Sequence, residues 1–186
     1  KRLPGDSYSA KMFDFVKTKY EANIPWEKTR DMVYHKYQVM QEDGYDITSK
    51  NLHCNGCFAA GINFASSIIS LLYGEGDIQK TIKIGTLCGW DSDNPTSTWG
   101  GLIGFMIGKE GIEKSFGRKF GENYNIHRTR IGFPNKGMDT FSNMAKMGVY
   151  VVDRVVQKQI GGGIDLDKDL WYIPNVGINI VAGSPL

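Results

Sequence analysis

The stretch CGWDSDNPTSTWGGLIGFMIGKEG, residues 88–111, constrains the fold more than any other part of the chain. Pro95 presets the φ of a first helical turn and is a poor occupant of a central strand. Asn94 or Asp93 before it offers a side-chain oxygen as N-cap. Gly100, Gly104 and Gly108 then recur every fourth residue, on one helical face. A face without Cβ atoms lets another helix, or a ligand, approach the backbone closely. Trp99, Ile103 and Ile107 form a bulky ridge beside it, and Leu102 and Met106 fill the other side. The pattern predicts a helix wrapped by protein nearly all round.

The remaining periodicities are also helical. Met12, Phe13, Phe15, Val16 and Tyr20 predict a helix over 9–20. Pro25 opens a second helix that carries His35, a surface or packing histidine, and stops at Gly44. NGCFAAGINFASSIISLLYG alternates small and large apolar residues and takes Gly74 as its C′ stop. Asn63 lies inside that apolar run, where an unpaired amide would cost about 1–3 kcal/mol. Its partner is either backbone from a neighbouring helix or a group on a ligand. Asp77 caps a short helix with Ile78, Ile82 and Ile84 facing inward.

Beyond residue 111 the pattern weakens, with glycine- and asparagine-punctuated loop and a short strand around 126–131. Positions 141, 144, 147, 151 and 155 then mark one stripe of a further helix that ends at Gly161–Gly163. The tail holds one or two short strands or an extended arm. DLDKDL at 165–170 begins like a calcium loop. It lacks the glycine that the sixth position needs, where Leu170 stands, and the glutamate at the twelfth, where Val176 stands. The fold class is therefore all-α, a multi-helix bundle with a less regular C-terminal tail, and 1–186 is expected to form a single domain.

Several functions are disfavoured. A balance of 22 basic against 20 acidic residues, net +2, gives no electrostatic footprint for nucleic acid. No apolar run is long enough to span a membrane. Three cysteines, Cys54, Cys57 and Cys88, are too few for a disulfide framework and predict free thiols in a reducing, cytoplasmic compartment. HCNGC lacks the histidine that haem attachment requires after its second cysteine, and only Cys88 and His127 remain to complete a zinc site.

Asp91 and Asp93 are the chemical signal. Two carboxylates two residues apart at a helix mouth repel one another, and one is driven towards protonation. The helix dipole offsets only about 0.3–1 kcal/mol of this. A hard divalent cation offsets more, and oxygen donors in one short turn suit Mg²⁺, with Ser92 and Asn94 adding neutral oxygens. Plain helix capping is the competing explanation.

The wider stretch LLYGEGDIQKTIKIGTLCGWDSDNPTSTWGGLIGFMIGKEGI resembles the C-terminal hallmark of the ADP-ribosylglycohydrolase family. That hallmark is a G-x-D-[ST]-D turn leading into a helix of repeated small residues. Gly89, Asp91, Ser92, Asp93, Gly100, Gly104 and Gly108 carry the resemblance, within a matched region of 51–111. It implies an orthogonal multi-helix bundle and a hydrolase that cleaves the glycosidic bond between ADP-ribose and an acceptor, using two Mg²⁺ ions. Asp91 and Asp93 would be metal ligands that help activate the attacking water, with Asn94 a further ligand where many members carry threonine. Gly89, Trp90, Ser92 and Asn63 would contact the substrate, although Trp90 serves equally as core packing.

The family's other half-site, a Thr/Ser-Asp-Asp turn with a catalytic acid, has no counterpart in the sequence. The chain is thus expected to be the C-terminal part of a longer protein, completed by its own N-terminal half or by another chain. A non-catalytic relative with a binding or structural role is the alternative.

Overall fold

A computed structural model describes residues 3–46, 56–126 and 132–174 of the chain. They form two compact units, Lys1–Lys119 and Phe120–Leu186. The fold is all-α as expected, with six α-helices and four three-residue strands among the described residues.

In the first unit, α1 spans Tyr8–Glu21 and is capped by Ser7, whose hydroxyl accepts the Ala10 N–H at 3.2 Å. α2 (Trp26–Val33) runs directly into a π-helical segment, Tyr34–Val39. Pro25 is the N-cap of α2 rather than its first turn, and helical structure ends before Gly44. The early stop follows from the left-handed φ values of Gln41 and Asp43, at 50° and 61°. They turn the chain so that the Tyr37 hydroxyl donates to Asp43 Oδ2 at 3.0 Å.

α3 (Ala60–Gly74) is the central helix of this unit, with nine of its residues buried. Gly74 is its last helical residue, and Glu75 takes the left-handed cap position with φ 55°. The requirement for glycine at 74 is one of close approach. A Cβ there would overlap the Thr81 hydroxyl and lie 2.8 Å from the Thr81 Cα. α4 (Ile78–Cys88) begins as expected at Asp77, whose Oδ1 accepts the Lys80 N–H at 2.7 Å. The core joins Met12 and Val16 of α1, Val33 and Tyr37, Ile62 and Ile69 of α3, and Ile84 of α4. Full burial of each aliphatic side chain contributes about 1.5–3 kcal/mol.

α5 (Asp93–Phe116) departs from expectation in three respects. Its N-cap is Ser92, which makes no side-chain cap bond, so neither Asp93 nor Asn94 is the cap. Gly108 adopts φ 69° and ψ 174° and breaks the helix. Past the break the chain folds back, and a Cβ at Gly104 would lie 3.0 Å from Ile112 Cδ1. Gly100 does face a neighbouring helix, at Ile82 of α4. The helix is not wrapped on all sides: Phe105 is 89% and Met106 75% exposed.

In the second unit, β1 (Asn123–Asn125) pairs antiparallel with β2 (Met138–Thr140). The expected strand over 126–131 falls mostly on 127–131, outside the described residues. α6 (Phe141–Ile160) starts at Thr140, whose hydroxyl accepts the Asn143 N–H at 3.1 Å, and ends at left-handed Gly161. It carries the expected apolar stripe, and none of its residues is buried. β3 (Gly163–Asp165) pairs antiparallel with β4 (Leu170–Tyr172), the strand expected of the tail, whose residues 175–186 lie outside the description. Asp165 serves this hairpin, accepting from the Lys168 N–H and ammonium at 3.2 and 2.9 Å.

The cysteines correct the sequence expectation. Cys57 is disulfide-bonded, and Cys88 is a buried free thiol. Burial among apolar neighbours pushes the Cys88 thiol up to about 12, which makes it inert. The inference of a reducing compartment loses its basis. His53, Cys54 and His127 lie outside the described residues. No described helix is long and apolar enough to cross a membrane.

Candidate functional site

Two connections build the site. The first leads into α3, where the Ala59 N–H donates to Gly56 O at 2.9 Å. The second, Gly89–Ser92, joins α4 to α5. Gly89 has φ 86° and Trp90 has φ 56°. Glycine takes the left-handed region freely, but a tryptophan there stores about 1–2 kcal/mol. Packing holds Trp90 in place. Its ring stacks on Tyr34 with centroids 6.2 Å apart and planes 22° from parallel, and it packs on the core.

The backbone of the turn is tied together locally. The Asn94 N–H donates to Asp91 O at 3.1 Å, and Asn94 Nδ2 approaches the same carbonyl at 3.3 Å. Thr96 Oγ1 donates between the carbonyls of Ser92 and Asp93, at 2.9 and 3.1 Å. From α3, Asn63 reaches across 28 residues of sequence, its Oδ1 accepting the Asp91 N–H at 3.0 Å. Its Nδ2 donates to Cys57 O at 2.8 Å and to Ala59 O at 3.1 Å. One turn along α3, Ser67 O accepts from Trp99 Nε1 at 2.7 Å and so fixes the first turns of α5.

The two carboxylates behave differently from the backbone around them. They contact each other, and that contact with Asp93 is the largest influence pushing the Asp91 carboxyl up. Partial burial and the Asp93 charge act in the same direction, against an opposing contact from the Asn94 side chain. Among the described residues, no backbone N–H donates to either carboxylate.

Asn63, Asp91 and Asn94 line one open cleft of about 370 Å³ with Phe58, Ala60, Phe64 and Ser67. The sequence had singled out the first three. Phe58, Phe64 and Ser67 were missed, because nothing in a run of small and apolar residues marks which side chains border a cleft. Gly89, Ser92 and Asp93 belong to the same turn. Trp90 is turned towards Tyr34, which sequence reasoning also passed over.

The donor set fits a hard cation. Two facing carboxylates, with the Asn94 amide oxygen and the Ser92 hydroxyl in the same turn, are the ligands Mg²⁺ accepts, and Mg²⁺ keeps its remaining positions for water or substrate oxygen. A cation between them would relieve the repulsion that raises the Asp91 carboxyl. Among the described residues, no cluster of three or more His, Cys, Asp and Glu side chains gathers at one point.

Residues 7–135 match the family model of the ADP-ribosylglycohydrolases. The chain belongs to the ADP-ribosylglycohydrolase family. No curated protein and no solved structure gives a match. The family match extends the resemblance on both sides, to α1 and α2 before the hallmark and to the start of the second unit after it. The all-α architecture agrees with an ADP-ribosylglycohydrolase-type fold.

Proposed function

We propose that the chain supplies one Mg²⁺ half-site to the hydrolysis of an ADP-ribosyl bond, with an ADP-ribosylated molecule as substrate. The observation that carries this is the pair Asp91 and Asp93, facing each other on a strained, anchored turn while no described backbone donor takes either carboxylate. In this proposal Asp91, Asp93 and Asn94 hold the metal. The bound ion supplies charge for the developing transition state and a more acidic water at neutral pH.

The chain's own residues position and shield. Asp91 presents its carboxylate to the cleft, and with Asp93 beside it would orient the attacking water towards the anomeric carbon of the ribose. Phe58 and Phe64 offer apolar surface to one face of the sugar. Asn94, at the cleft wall, offers an amide oxygen to the metal. The second half-site, a Thr/Ser-Asp-Asp turn, is absent from these 186 residues. The proposal therefore includes a partner segment or chain that contributes it.

Calorimetric titration of Mg²⁺ with and without ADP-ribose tests the reading. Binding that ADP-ribose strengthens, and that an Asp91→Ala, Asp93→Ala double variant loses, supports it. A folded chain that binds no Mg²⁺ under either condition contradicts it.

A further inference from the structure

The acidic turn needs more than its own sequence to keep its shape. Two consecutive left-handed residues, Gly89 and Trp90, lead into Asp91, and Ser92 brings no side-chain cap to the helix that follows. A turn of this kind relaxes unless neighbouring structure holds it. Tyr34 holds the Trp90 ring, but the backbone at Asp91 has a single side-chain acceptor among the described residues, Asn63.

Asn63 is built to hold rather than to bind. It is 8% exposed, and three of its four hydrogen-bonding positions are filled by backbone groups, two donated to Cys57 O and Ala59 O and one accepted from the Asp91 N–H. The two carbonyls fix the amide plane, so its oxygen has one direction left to point, at Asp91. A residue committed in this way has little left to offer a substrate. It does set where the Asp91 carboxylate emerges.

We infer that Asn63 is a positioning residue, which holds the Asp91 backbone so that the 91–93 carboxylates are kept ready for a divalent cation; the inference rests on the half-site proposed above. It displaces the sequence-based expectation that Asn63 touches substrate. Partners that orient metal ligands from outside the coordination sphere change metal affinity or activity by about 10–100-fold when removed.

The test is Asn63→Ser. A serine at 63 can still donate to the Ala59 carbonyl one turn back, as Ser66 does to Ile62 O at 2.9 Å. It is too short to reach Asp91, so it separates support of α3 from support of the turn. The melting temperature of N63S is expected to stay close to that of the unaltered chain. Hydrogen exchange at the Asp91 amide should accelerate about tenfold, and Mg²⁺ affinity should fall by about 10–100-fold.

Asn63→Asp keeps an acceptor for the Asp91 N–H and loses both donors. It should retain protection at Asp91 even with a lowered melting point, which keeps the question open to test if N63S does not fold. Wild-type exchange at Asp91 in folded N63S, or loss of protection in N63D in step with its melting, overturns the inference. Failure of the unaltered chain to bind Mg²⁺ overturns the half-site proposal separately, and exchange at Asp91 still decides the role of Asn63.

Discussion

Two helices of the first unit begin beside aspartates, and the aspartates do different work. At α4, Asp77 is in extended conformation, φ −76° and ψ 120°, and its carboxylate accepts the Lys80 N–H. At α5 the cap position belongs to Ser92, with no side-chain cap bond, and the carboxylates of Asp91 and Asp93 meet each other instead. Asp77 relieves an unsatisfied helix end, whereas Asp91 and Asp93 add a repulsion that something else must relieve. The backbone takes the carboxylate of Asp77 and leaves those of Asp91 and Asp93, which is the difference the proposed half-site rests on.

The contrast can be broken from the α4 side first. Gly74→Ala drives a Cβ into Thr81 of α4, and urea unfolding is expected to show a loss of about 2–3 kcal/mol. Next, Asp77→Ala removes a cap in use and should cost about 1 kcal/mol by the same measurement. On α5, a Cβ at Gly101 would meet nothing within 4 Å. Gly101→Ala should therefore stabilise by about 0.5–1 kcal/mol.

The smallest effect concerns a fourth acid, Asp43. Burial pushes the Asp43 carboxyl up, but hydrogen bonds from Lys36 and Tyr37 outweigh it and leave the group below its ordinary value. A carboxyl lowered in the folded state contributes stability above its unfolded pKa and loses it as pH falls through the folded value. Asp43→Asn should flatten that acid limb of the stability curve by less than about 1 kcal/mol, given its partial exposure. Thermal unfolding between neutral and strongly acidic pH measures it.

The parts of this molecule that were legible in sequence are those governed by local rules. Asp77 as a cap, the α6 stripe and the acidic turn before Pro95 each follow from residues a few positions apart. The parts that were not legible depend on distance or on backbone choices that residue type does not fix. The spacing of Gly100, Gly104 and Gly108 suggested three equivalent positions, yet only Gly108 takes a left-handed break, and Phe105 and Met106 before it are exposed. Trp90 is not a residue from which positive φ is expected, and the stacking on Tyr34 that sustains it joins positions 56 residues apart. A buried amide at Asn63 announced that it needed partners. Its reach to Asp91 could not be read from spacing.

The central claim is that Asp91 and Asp93 are held for a cation and do not serve as caps. Urea unfolding of the unaltered chain and of the Asp91→Asn, Asp93→Asn double variant, each in chelator and in excess Mg²⁺, tests it most directly. In chelator the double variant should be at least as stable as the unaltered chain, because it loses a repulsion and no cap. In Mg²⁺ at a hundred times its dissociation constant the unaltered chain alone should gain about 2.7 kcal/mol. A double variant that is destabilised in chelator, with an unaltered chain indifferent to Mg²⁺, would show that the two aspartates support the helix and nothing more.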